Sequence, residues 1–447
     1  MKYSLDKRLP KYHGKKWIRD GLPKKGEAWY LGRPCSPRKG PTIQKELIQS
    51  LRKSTEYSKW KWPRRPVYFL SDAHADAEAF LASLVVSGGI KKTGPANKDF
   101  RLTRAGRRAD FIIGGDCLDK GPSNLQLLRS IRTFKKQSAR LDILAGNHDM
   151  RLLMAMRTIH KKQDPRTEHF FVRMGAKAIP LLKEIHGQYF KDKDVLRDVP
   201  GRRECKKLLF PSNQWFDEFP RFAQWVMPEH AIEREVVRLK RKAERFEYLC
   251  DDAGLSLRMV YATAVKCREL FLEPKGEFYW FYDEMKLAKR KGSFLFVHAG
   301  LDDRAAILIK DKGITHLNKL YQRQVKNNLF EFYYGPLANI MRTKYRDVDM
   351  PLTSYGVEKI YEKGIHAIVH GHRNHLDGQR LMLRKGILHI ESDTTMDRNS
   401  RKKEGLAGYG AGVTIIRPEG QIIGISADYP YAKVFEPRGL VKRLPRP

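Results

Sequence analysis

The sequence predicts an α/β protein in which helices cover a largely parallel sheet, with a long helical segment interrupting the pattern. Three observations predict it. Short apolar runs alternate with amphipathic segments between residues 65 and 160. Residues 151–292 then have mainly helical spacing, and apolar runs resume from residue 293. Strands that alternate with helices are typical of parallel sheets in layered α/β folds.

The first part of this pattern contains three strand and helix pairs. PVYFLSD, DFIIGGD and RLDILAGNHD are continuous apolar runs that end in polar residues, which is typical of buried strands. The helix ADAEAFLASLVVSGGI is predicted to stop at Gly88-Gly89, and MRLLMAMRTIH is the third helix. GPSNLQLLRSIRTFKKQ is the second, with Pro122 in its first turn and an apolar face formed by Leu127, Leu128, Ile131 and Phe134.

The rest of the chain divides by composition and spacing. Residues 1–64 are predicted to be a basic N-terminal extension with one amphipathic helix, TIQKELIQSLRKSTEYSKW, whose apolar side holds Ile43, Leu47, Ile48 and Leu51. Residues 151–292 are predicted to be a helical insertion, with HAIEREVVRLKRKAERFEYL as one helix. Strands resume at SFLFVHAG, HAIVHGHR and GILHIES, and GVTIIRPEGQIIGIS predicts a hairpin. Residues 428–447 are predicted to be a basic tail, loosely ordered at its end.

The predicted strands share one chemical feature, because each ends in aspartate, asparagine or histidine. These residues are Asp72 and His74, Asp116 and Asp119, Asn147 with His148 and Asp149, His298, and His370 with His372. In open α/β sheets, ligands bind in the crevice beyond the carboxyl ends of the strands. Five strands that deliver such side chains to that edge indicate a single site.

These residue types indicate divalent metal ions. Carboxylate, imidazole and amide ligands suit Mn, Fe or Zn, whereas a thiolate-rich set would favour structural zinc. The set exceeds what one tetrahedral ion needs, so we expect two ions that share a carboxylate. Metal ions roughly 3.5–4 Å apart clamp the attacking and leaving oxygens of a phosphoryl displacement and lower the pKa of a bound water towards ~7. The sequence therefore predicts hydrolysis of a phosphate ester by a metal-bound hydroxide.

Five short motifs resemble those of the calcineurin-like metallophosphoesterases. Within that superfamily they are most similar to the phosphoprotein-phosphatase type, which includes symmetrical diadenosine tetraphosphate hydrolases. The motifs are Asp72-Ala73-His74, Gly115-Asp116-Cys117-Leu118-Asp119-Lys120-Gly121, Gly146-Asn147-His148-Asp149, His298-Ala299-Gly300 and Gly371-His372. The resemblance covers residues 65–150 and 293–427, which it implies are the catalytic domain. It implies a four-layer α/β/β/α sandwich, with residues 151–292 inserted outside the family pattern.

The resemblance also implies a role for each motif residue. The metal ligands it implies are Asp72, His74, Asp116, Asn147, His298 and His372. Among them, Asp72 and His74 hold the first ion, Asp116 bridges both ions, and the remaining three complete the second site. His148 is similar to the family's proton donor to the leaving oxygen, with Asp119 orienting and charging its imidazole. A histidine beside a carboxylate keeps the proton that a poor leaving group requires.

The phosphate-binding residues depart from the family pattern. Lys120 stands where the phosphatase type usually has an arginine, and a lysine supplies a point charge instead of a bidentate fork. Arg342 and Arg373 are the candidates to compensate. Asn374 stands at the last position of the G-H-x-H sequence of other relatives, which favours the three-ligand first site of the phosphatase type.

Spacing leaves two structural alternatives open. His370 and His372 lie two residues apart on one strand and share a face, so only the register of the family motif favours His372. The aromatic run FYWFYDE at residues 278–284 is expected to pack the insertion onto the core, with a platform for base stacking as the alternative.

Charge and composition bear on partners and location. Lys and Arg exceed Asp and Glu by 36, which is equally compatible with a nucleic-acid partner and with a solubilising surface. No apolar run approaches eighteen residues, the start lacks the apolar core of a signal peptide, and the five cysteines form no CxxC pair. We therefore expect a cytoplasmic protein with reduced thiols and no membrane partner.

The first functional prediction is a phosphomonoesterase of the phosphoprotein-phosphatase kind, acting on a phosphorylated protein, nucleotide or small molecule. One alternative is a nucleotide or diadenosine polyphosphate hydrolase or phosphodiesterase. The other is a non-catalytic nucleic-acid-binding protein on a phosphatase scaffold. The intact ligand set argues against this last alternative, since a scaffold has no need of all six ligands.

Overall fold

The computed structural model describes residues 9–18, 21–32, 40–137, 139–159, 164–190, 196–437 and 440, and only the backbone of residues 40–43. Its strands are β1 (Lys25–Ala28), β2 (Val67–Leu70), β3 (Ile90–Lys92), β4 (Phe100–Leu102), β5 (Asp110–Ile113), β6 (Arg140–Ile143), β7 (Lys289–Lys291), β8 (Phe294–Phe296), β9 (Ala367–His370), β10 (Arg380–Arg384), β11 (Ile387–Glu391), β12 (Gly412–Arg417), β13 (Gln421–Ser426) and β14 (Tyr431–Phe435).

The helices fall into three groups along the chain. Those before the insertion and at its start are α1 (Gly40–Tyr57), α2 (Ala77–Val86), α3 (Arg104–Arg108), α4 (Asn124–Lys136) and α5 (Asn147–Thr158). Those within it are α6 (Phe170–Met174), α7 (Ile179–Tyr189), α8 (Arg202–Leu209), α9 (Trp215–Ala223), α10 (Glu229–Asp252), α11 (Leu257–Leu272) and α12 (Tyr279–Asp283). Those after it are α13 (Asp303–Asn327), α14 (Leu329–Tyr334), α15 (Pro336–Asn339), α16 (Ser354–Glu362) and α17 (Arg398–Lys403), with α13 kinked at Gly313.

Two sheets form the centre of the fold. The seven-stranded sheet has the order β1-β14-β13-β12-β2-β5-β6, and the five-stranded sheet has the order β10-β11-β9-β8-β7. The strands that precede the predicted ligands are parallel to one another within each sheet: β2 with β5 and β5 with β6, and β8 with β9. Their carboxyl ends therefore deliver the following loops to the same edge of each sheet.

Alternation along β2 shows how the layers pack. Val67 and Phe69 lie in an apolar cluster between the two sheets, together with Phe296 of β8 and Val369 of β9. Successive residues of a strand point to opposite faces, and Tyr68, next along β2, packs with the larger cluster that includes α2 and α4. On the outer side of the five-stranded sheet, that cluster includes α13 and α16. The predicted four-layer sandwich is confirmed.

The described helices between α5 and β7 share the larger apolar cluster with the sandwich, through side chains such as Phe171, Phe246 and Tyr282. Helix α10 contains the predicted segment HAIEREVVRLKRKAERFEYL, so that prediction is confirmed. The division of the chain at residues 64, 150, 293 and 427 stays a prediction.

Several local predictions were wrong. Helix α4 begins at Asn124 with Ser123 as its cap, so Pro122 lies outside it. Helix α5 begins at Asn147 instead of Met150. The hairpin β3–β4 and strand β10 were not predicted. In the predicted basic tail, β14 is an ordered strand, and it pairs with β1 of the N-terminal extension, where no strand was expected.

The helix predicted in the extension is confirmed as α1, in which Leu47 and Leu51 are buried, whereas the side chain of Ile43 lies outside the described residues. Cys35 and most of the last ten residues also lie outside the described residues. The four other cysteines are free and buried. In the parts of the chain that the structure describes, no helix has the length and apolar character needed to cross a membrane.

Candidate metal centre

The side chains predicted as ligands lie on loops or on a helix start, just after the parallel strands. Asp72 and His74 follow β2, and Asp116 follows β5. His298 follows β8, and His372 follows β9. The sixth, Asn147, is the first residue of α5, after β6. The two sheets thus place all six side chains at one edge of the sandwich.

The carboxylate of Asp116 lies at the centre of this group. Its Oδ2 is 3.4 Å from Nε2 of His298 and 3.8 Å from Nε2 of His74. Nε2 of His148 is also 3.8 Å away. Asp116 is 2 % exposed, so these interactions occur away from bulk water. One buried carboxylate therefore faces imidazoles from three different loops.

Two sets of candidate ligand atoms share Asp116. In the first, atoms of His74, Asp116 and His148 all lie within 4.8 Å of one another. In the second, the same holds for Asp116, His298 and His372. A single carboxylate common to both sets is the arrangement that a shared ligand of two neighbouring ions requires.

The other predicted ligands border these sets. Oδ1 of Asp72 is 3.9 Å from Nε2 of His74, and its Oδ2 accepts a hydrogen bond of 3.0 Å from the backbone N–H of His372. Oδ1 of Asn147 lies 3.2 Å from Nε2 of His298. The structure therefore brings together all six side chains that the sequence analysis proposed as ligands.

The orientation of each histidine leaves a lone pair for the centre. Nδ1 of His74 donates to the carbonyl of Leu118 at 3.2 Å, and Nδ1 of His298 donates to that of Gly114 at 2.7 Å. Nε2 of His372 donates to the carbonyl of Arg342 at 3.2 Å. Metal-bound histidines commonly donate their other N–H to a carbonyl in this way, which fixes the tautomer and the ring.

The carboxylates of Asp116 and Asp72 act on the imidazole of His298. Burial alone would lower the pKa of His298, but the carboxylates of Asp116 and Asp72 raise it to about 10. Burial raises the pKa of Asp72, and the negative charge of Asp116 raises it further. Two carboxylates buried side by side require positive charge, which protons or metal ions supply.

The backbone is strained at this site. Of the ten non-glycine residues with positive φ in the described chain, six are predicted site residues: Asp72, His74, Asp116, Asp119, Lys120 and His372. Such conformations cost about 1–3 kcal/mol each and cluster at active sites and ligand clamps. Strain of this kind persists only where the surrounding structure holds it, which is consistent with loops shaped for ligation.

Two motif glycines allow the loops to approach one another closely. A Cβ at Gly146 would overlap the backbone nitrogen and Oδ1 of Asp116. A Cβ at Gly371 would overlap Oγ of Ser71 and Oδ2 of Asp72. The glycines that precede Asn147 and His372 are therefore explained by space at the site.

His148 and Asp119 form a pair beside the centre. Nδ1 of His148 lies 2.7 Å from Oδ2 of Asp119, and the backbone N–H of His148 donates to Oδ1 of Asp116 at 2.8 Å. Nε2 of His148 consequently faces the centre. Burial lowers the pKa of His148 well below its usual value, and Arg151 and Lys177 add to this effect.

The three predicted phosphate-binding residues lie in different places. Nζ of Lys120 points into the centre and lies 2.7 Å from Nε2 of His74. The guanidinium of Arg342 lies over the ring of Tyr333, 4.7 Å from its centroid. Arg373 donates to the carbonyl of Lys344 at 3.2 Å. Of the three, only Lys120 lines the cleft in front of the ligands.

The structure adds residues that the sequence analysis did not assign to the site. Lys344 and Asp393 line the cleft. Lys177 of the insertion lies 3.9 Å from Asp119. The carboxylate of Asp149 accepts four backbone N–H bonds, from Gly146 and from the loop after β5. Only Asp149 had a signal in the sequence, as the last residue of its motif.

The two structural alternatives left by spacing are now decided. Nε2 of His370 lies 3.2 Å from Nδ1 of His389, and both histidines are fully buried away from the cleft. His372 therefore faces the centre. In the aromatic run, Phe278, Phe281 and Tyr282 are buried, so it packs the insertion onto the core.

The donor set fits divalent ions. Carboxylate, imidazole and amide oxygen are ligands that Mn, Fe and Zn accept. Nε2 of His74, which faces the centre, already contacts a cation, the ammonium group of Lys120. A buried group of this composition, with its histidine tautomers fixed from behind, is a candidate site for divalent metal.

Comparison with known proteins places the chain in a family. The family model of calcineurin-like phosphoesterases matches residues 65–376. A cold-active protein-tyrosine phosphatase of the psychrophile Shewanella sp. has a similar structure, with 13% identity, 83% of this chain and 80% of that chain covered, and a TM-score of 0.40. A protein serine/threonine phosphatase from Saccharomyces cerevisiae covers 90% of this chain and 91% of its own, with 11% identity and a TM-score of 0.36. No curated protein sequence matches the chain significantly.

The family match spans more than half of the chain and includes all five motifs. It contains every predicted ligand from Asp72 to His372. The resemblance inferred from the motifs is therefore confirmed, and the chain belongs to the calcineurin-like phosphoesterases.

Proposed function

We propose that the protein is a phosphomonoesterase of the phosphoprotein-phosphatase type that works with two divalent metal ions. The observation that carries this proposal is the convergence of six donor side chains, with the buried carboxylate of Asp116 at their centre. A family of phosphoesterases that uses divalent metals supports the reaction class. The substrate type and the pair of ions are our inference from the site.

In this proposal, Asp72 and His74 would hold the first ion, and Asp116 would be a ligand shared by both ions. The second ion would be held by Asn147, His298 and His372. Ligand atoms of His298 and His372 lie within 4.8 Å of one of Asp116, and Oδ1 of Asn147 lies 3.2 Å from Nε2 of His298. When bound, ions such as Mn, Fe or Zn supply Lewis-acid charge and activate water for attack on phosphorus. The hydrogen bonds from His74 and His298 to backbone carbonyls keep their lone pairs directed at the centre.

The remaining side chains handle the phosphate and the proton. Lys120 and Lys344 border the cleft as cations that neutralise phosphate oxygens. His148 donates a proton to the leaving oxygen while Asp119 holds its ring. The negative charge of a bound phosphate raises the pKa of a nearby imidazole, which offsets the effect of burial, so the proton is present when it is needed.

A substrate panel with added Mn²⁺ tests the proposed reaction. The panel contains a phosphopeptide, p-nitrophenyl phosphate, bis-p-nitrophenyl phosphate and diadenosine tetraphosphate, with kcat/KM measured for each. We expect the two monoesters to be hydrolysed faster than the diester or the dinucleotide. Faster hydrolysis of the diester or the dinucleotide would contradict the monoesterase assignment. If none of the four substrates were hydrolysed, the proposal of an enzyme would be wrong.

Replacing His148 by glutamine tests the proton donor. Loss of a general acid lowers rates by roughly 10²–10⁴-fold where the leaving oxygen needs a proton. We therefore expect a loss of this size in kcat for an alkyl phosphate, and a much smaller one for p-nitrophenyl phosphate, whose leaving group departs unprotonated. The exposed His230 on α10 provides the control, since His230→Gln makes the same chemical change away from the site. Equal losses for both esters in His148→Gln would contradict the role.

A further inference from the structure

A cleft on the outer side of His148 is not used by the reaction as described so far. Its inner wall consists of Leu118, Asp119 and His148, and its outer wall comes from the insertion, including Met174 and Lys177. Arg151 of α5 also lines it. Since His148 and Arg151 are three residues apart on one helix, their side chains lie on the same face. His148 lines both this cleft and the cleft in front of the predicted ligands.

The two cationic side chains of this cleft, Arg151 and Lys177, have few acidic partners. Within the described chain, Arg151 forms no hydrogen bond or ion pair. Lys177 has one ion pair, with Asp119 at 3.9 Å, and Asp119 is already engaged by His148 at 2.7 Å. The cleft therefore has two positive side chains and a single acidic side chain that is shared.

The titration behaviour of Lys177 agrees with this excess of positive charge. Its pKa is lowered, first by burial and also by repulsion from Arg151 and Lys120, while Asp119 acts in the opposite direction. Cations that repel one another across a partly buried cleft are stabilised when an anion binds between them.

The position of the cleft identifies what would bind in it. A proton donor must lie within hydrogen-bond reach of the leaving oxygen. Because His148 lines both clefts, a group attached beyond that oxygen can reach Arg151 and Lys177. We propose that this cleft is a leaving-group subsite, in which Arg151 and Lys177 select phosphate esters or anhydrides whose leaving group itself carries an anionic group. This inference rests on the proposed function, because it takes His148 as the proton donor.

A matched pair of substrates tests the subsite. 3-Carboxyphenyl phosphate and 3-carbamoylphenyl phosphate have leaving groups of nearly the same size, and only the first is charged. For the wild-type chain with Mn²⁺, we expect a higher kcat/KM for the carboxylate. A hydrogen-bonded charge pair accounts for roughly a tenfold to hundredfold ratio. Inorganic pyrophosphate serves as a further probe, because its leaving group is a phosphate. It shows whether the subsite accepts an anionic phosphate as well as a carboxylate.

Variants of the two cations locate the preference. Lys177→Gln and Arg151→Gln are each expected to reduce the carboxylate-to-carbamoyl ratio of kcat/KM by about tenfold or more. This ratio is informative even if a variant is less active, since general damage to catalysis lowers kcat/KM for both substrates equally. Lys177→Arg keeps the charge and should retain most of the ratio. Lys183→Gln is the control, because Lys183 is exposed on α7 and does not line the cleft.

The outcomes separate the subsite from the reaction. A carboxylate-to-carbamoyl ratio of kcat/KM near one in the wild-type chain would overturn the subsite, and so would a ratio unchanged in both Lys177→Gln and Arg151→Gln. In either case, hydrolysis of the carbamoyl ester would leave the phosphoesterase proposal intact. Failure of the wild-type chain to hydrolyse any of the three probes would overturn the proposed function, and the subsite with it.

Discussion

The variant Asp116→Asn is expected to lose activity on the order of 10³-fold or more in kcat on p-nitrophenyl phosphate. Asp116 is the only predicted ligand shared by the two candidate sets, and its Oδ2 faces His298 at 3.4 Å and His74 at 3.8 Å. A neutral amide cannot bridge two cations as a carboxylate does. Metal ions contribute several kcal/mol to stabilising the charge of the transition state, and each 1.36 kcal/mol is tenfold in rate.

The control for this variant lies at the other end of the same strand. Asp110 begins β5, whereas Asp116 follows its end, and Asp110 pairs with Lys291 at 2.7 Å. Asp110→Asn therefore makes the same chemical change away from the cleft and should keep nearly full activity. Metal content, measured by mass spectrometry after dialysis, should fall in Asp116→Asn and not in Asp110→Asn. Full activity of Asp116→Asn would remove the bridging role.

A second large effect is expected on stability, at a buried ion pair inside the helical insertion. Arg173 of α6 contacts Glu235 of α10, and the two residues are only 8 % and 5 % exposed. The hydroxyl of Tyr334 on α14 donates to Glu235 at 3.2 Å and also lies 2.8 Å from Nε2 of His169. This polar network joins α6 and α10 to α14, and α6 leads directly to Lys177.

The variant Glu235→Gln is expected to destabilise the folded chain by about 3–5 kcal/mol, because it leaves the charge of Arg173 buried without a partner. The measurement is the midpoint of urea unfolding followed by circular dichroism. Glu233, exposed on the same helix, gives the matched variant Glu233→Gln, for which little change is expected. If both variants unfolded at the same urea concentration, the network would have no such role.

The metal centre was predictable because its residues follow a local rule. Asp72, Asp116 and His298 each come just after a short apolar strand, and parallel strands place their carboxyl ends together. Neither the tautomers nor the strained backbone could be deduced from the sequence, since both depend on carbonyls contributed by other loops, such as Gly114 for His298. The motifs and their family resemblance suggested the residues that we propose as ligands, and tertiary contacts orient their side chains.

The parts that the sequence did not reveal depend on distant pairing. Strand β1 is KGEA, which has no apolar alternation, and it is a strand because it pairs with β14 some four hundred residues later. Tertiary context of this kind overrides weak local preference. Lys177 lies in a helical region whose packing against Asp119 has no local signal. Arg342 and Arg373 were the candidates to compensate for Lys120, and in the structure their guanidinium groups contact Tyr333 and the carbonyl of Lys344.

The most direct measurement of the central claim is anomalous scattering from crystals grown with Mn²⁺. We expect two peaks roughly 3.5–4 Å apart, one beside Asp72 and His74, the other beside Asn147, His298 and His372, with Asp116 between them. A single peak, or peaks away from Asp116, would contradict a two-metal centre in this protein.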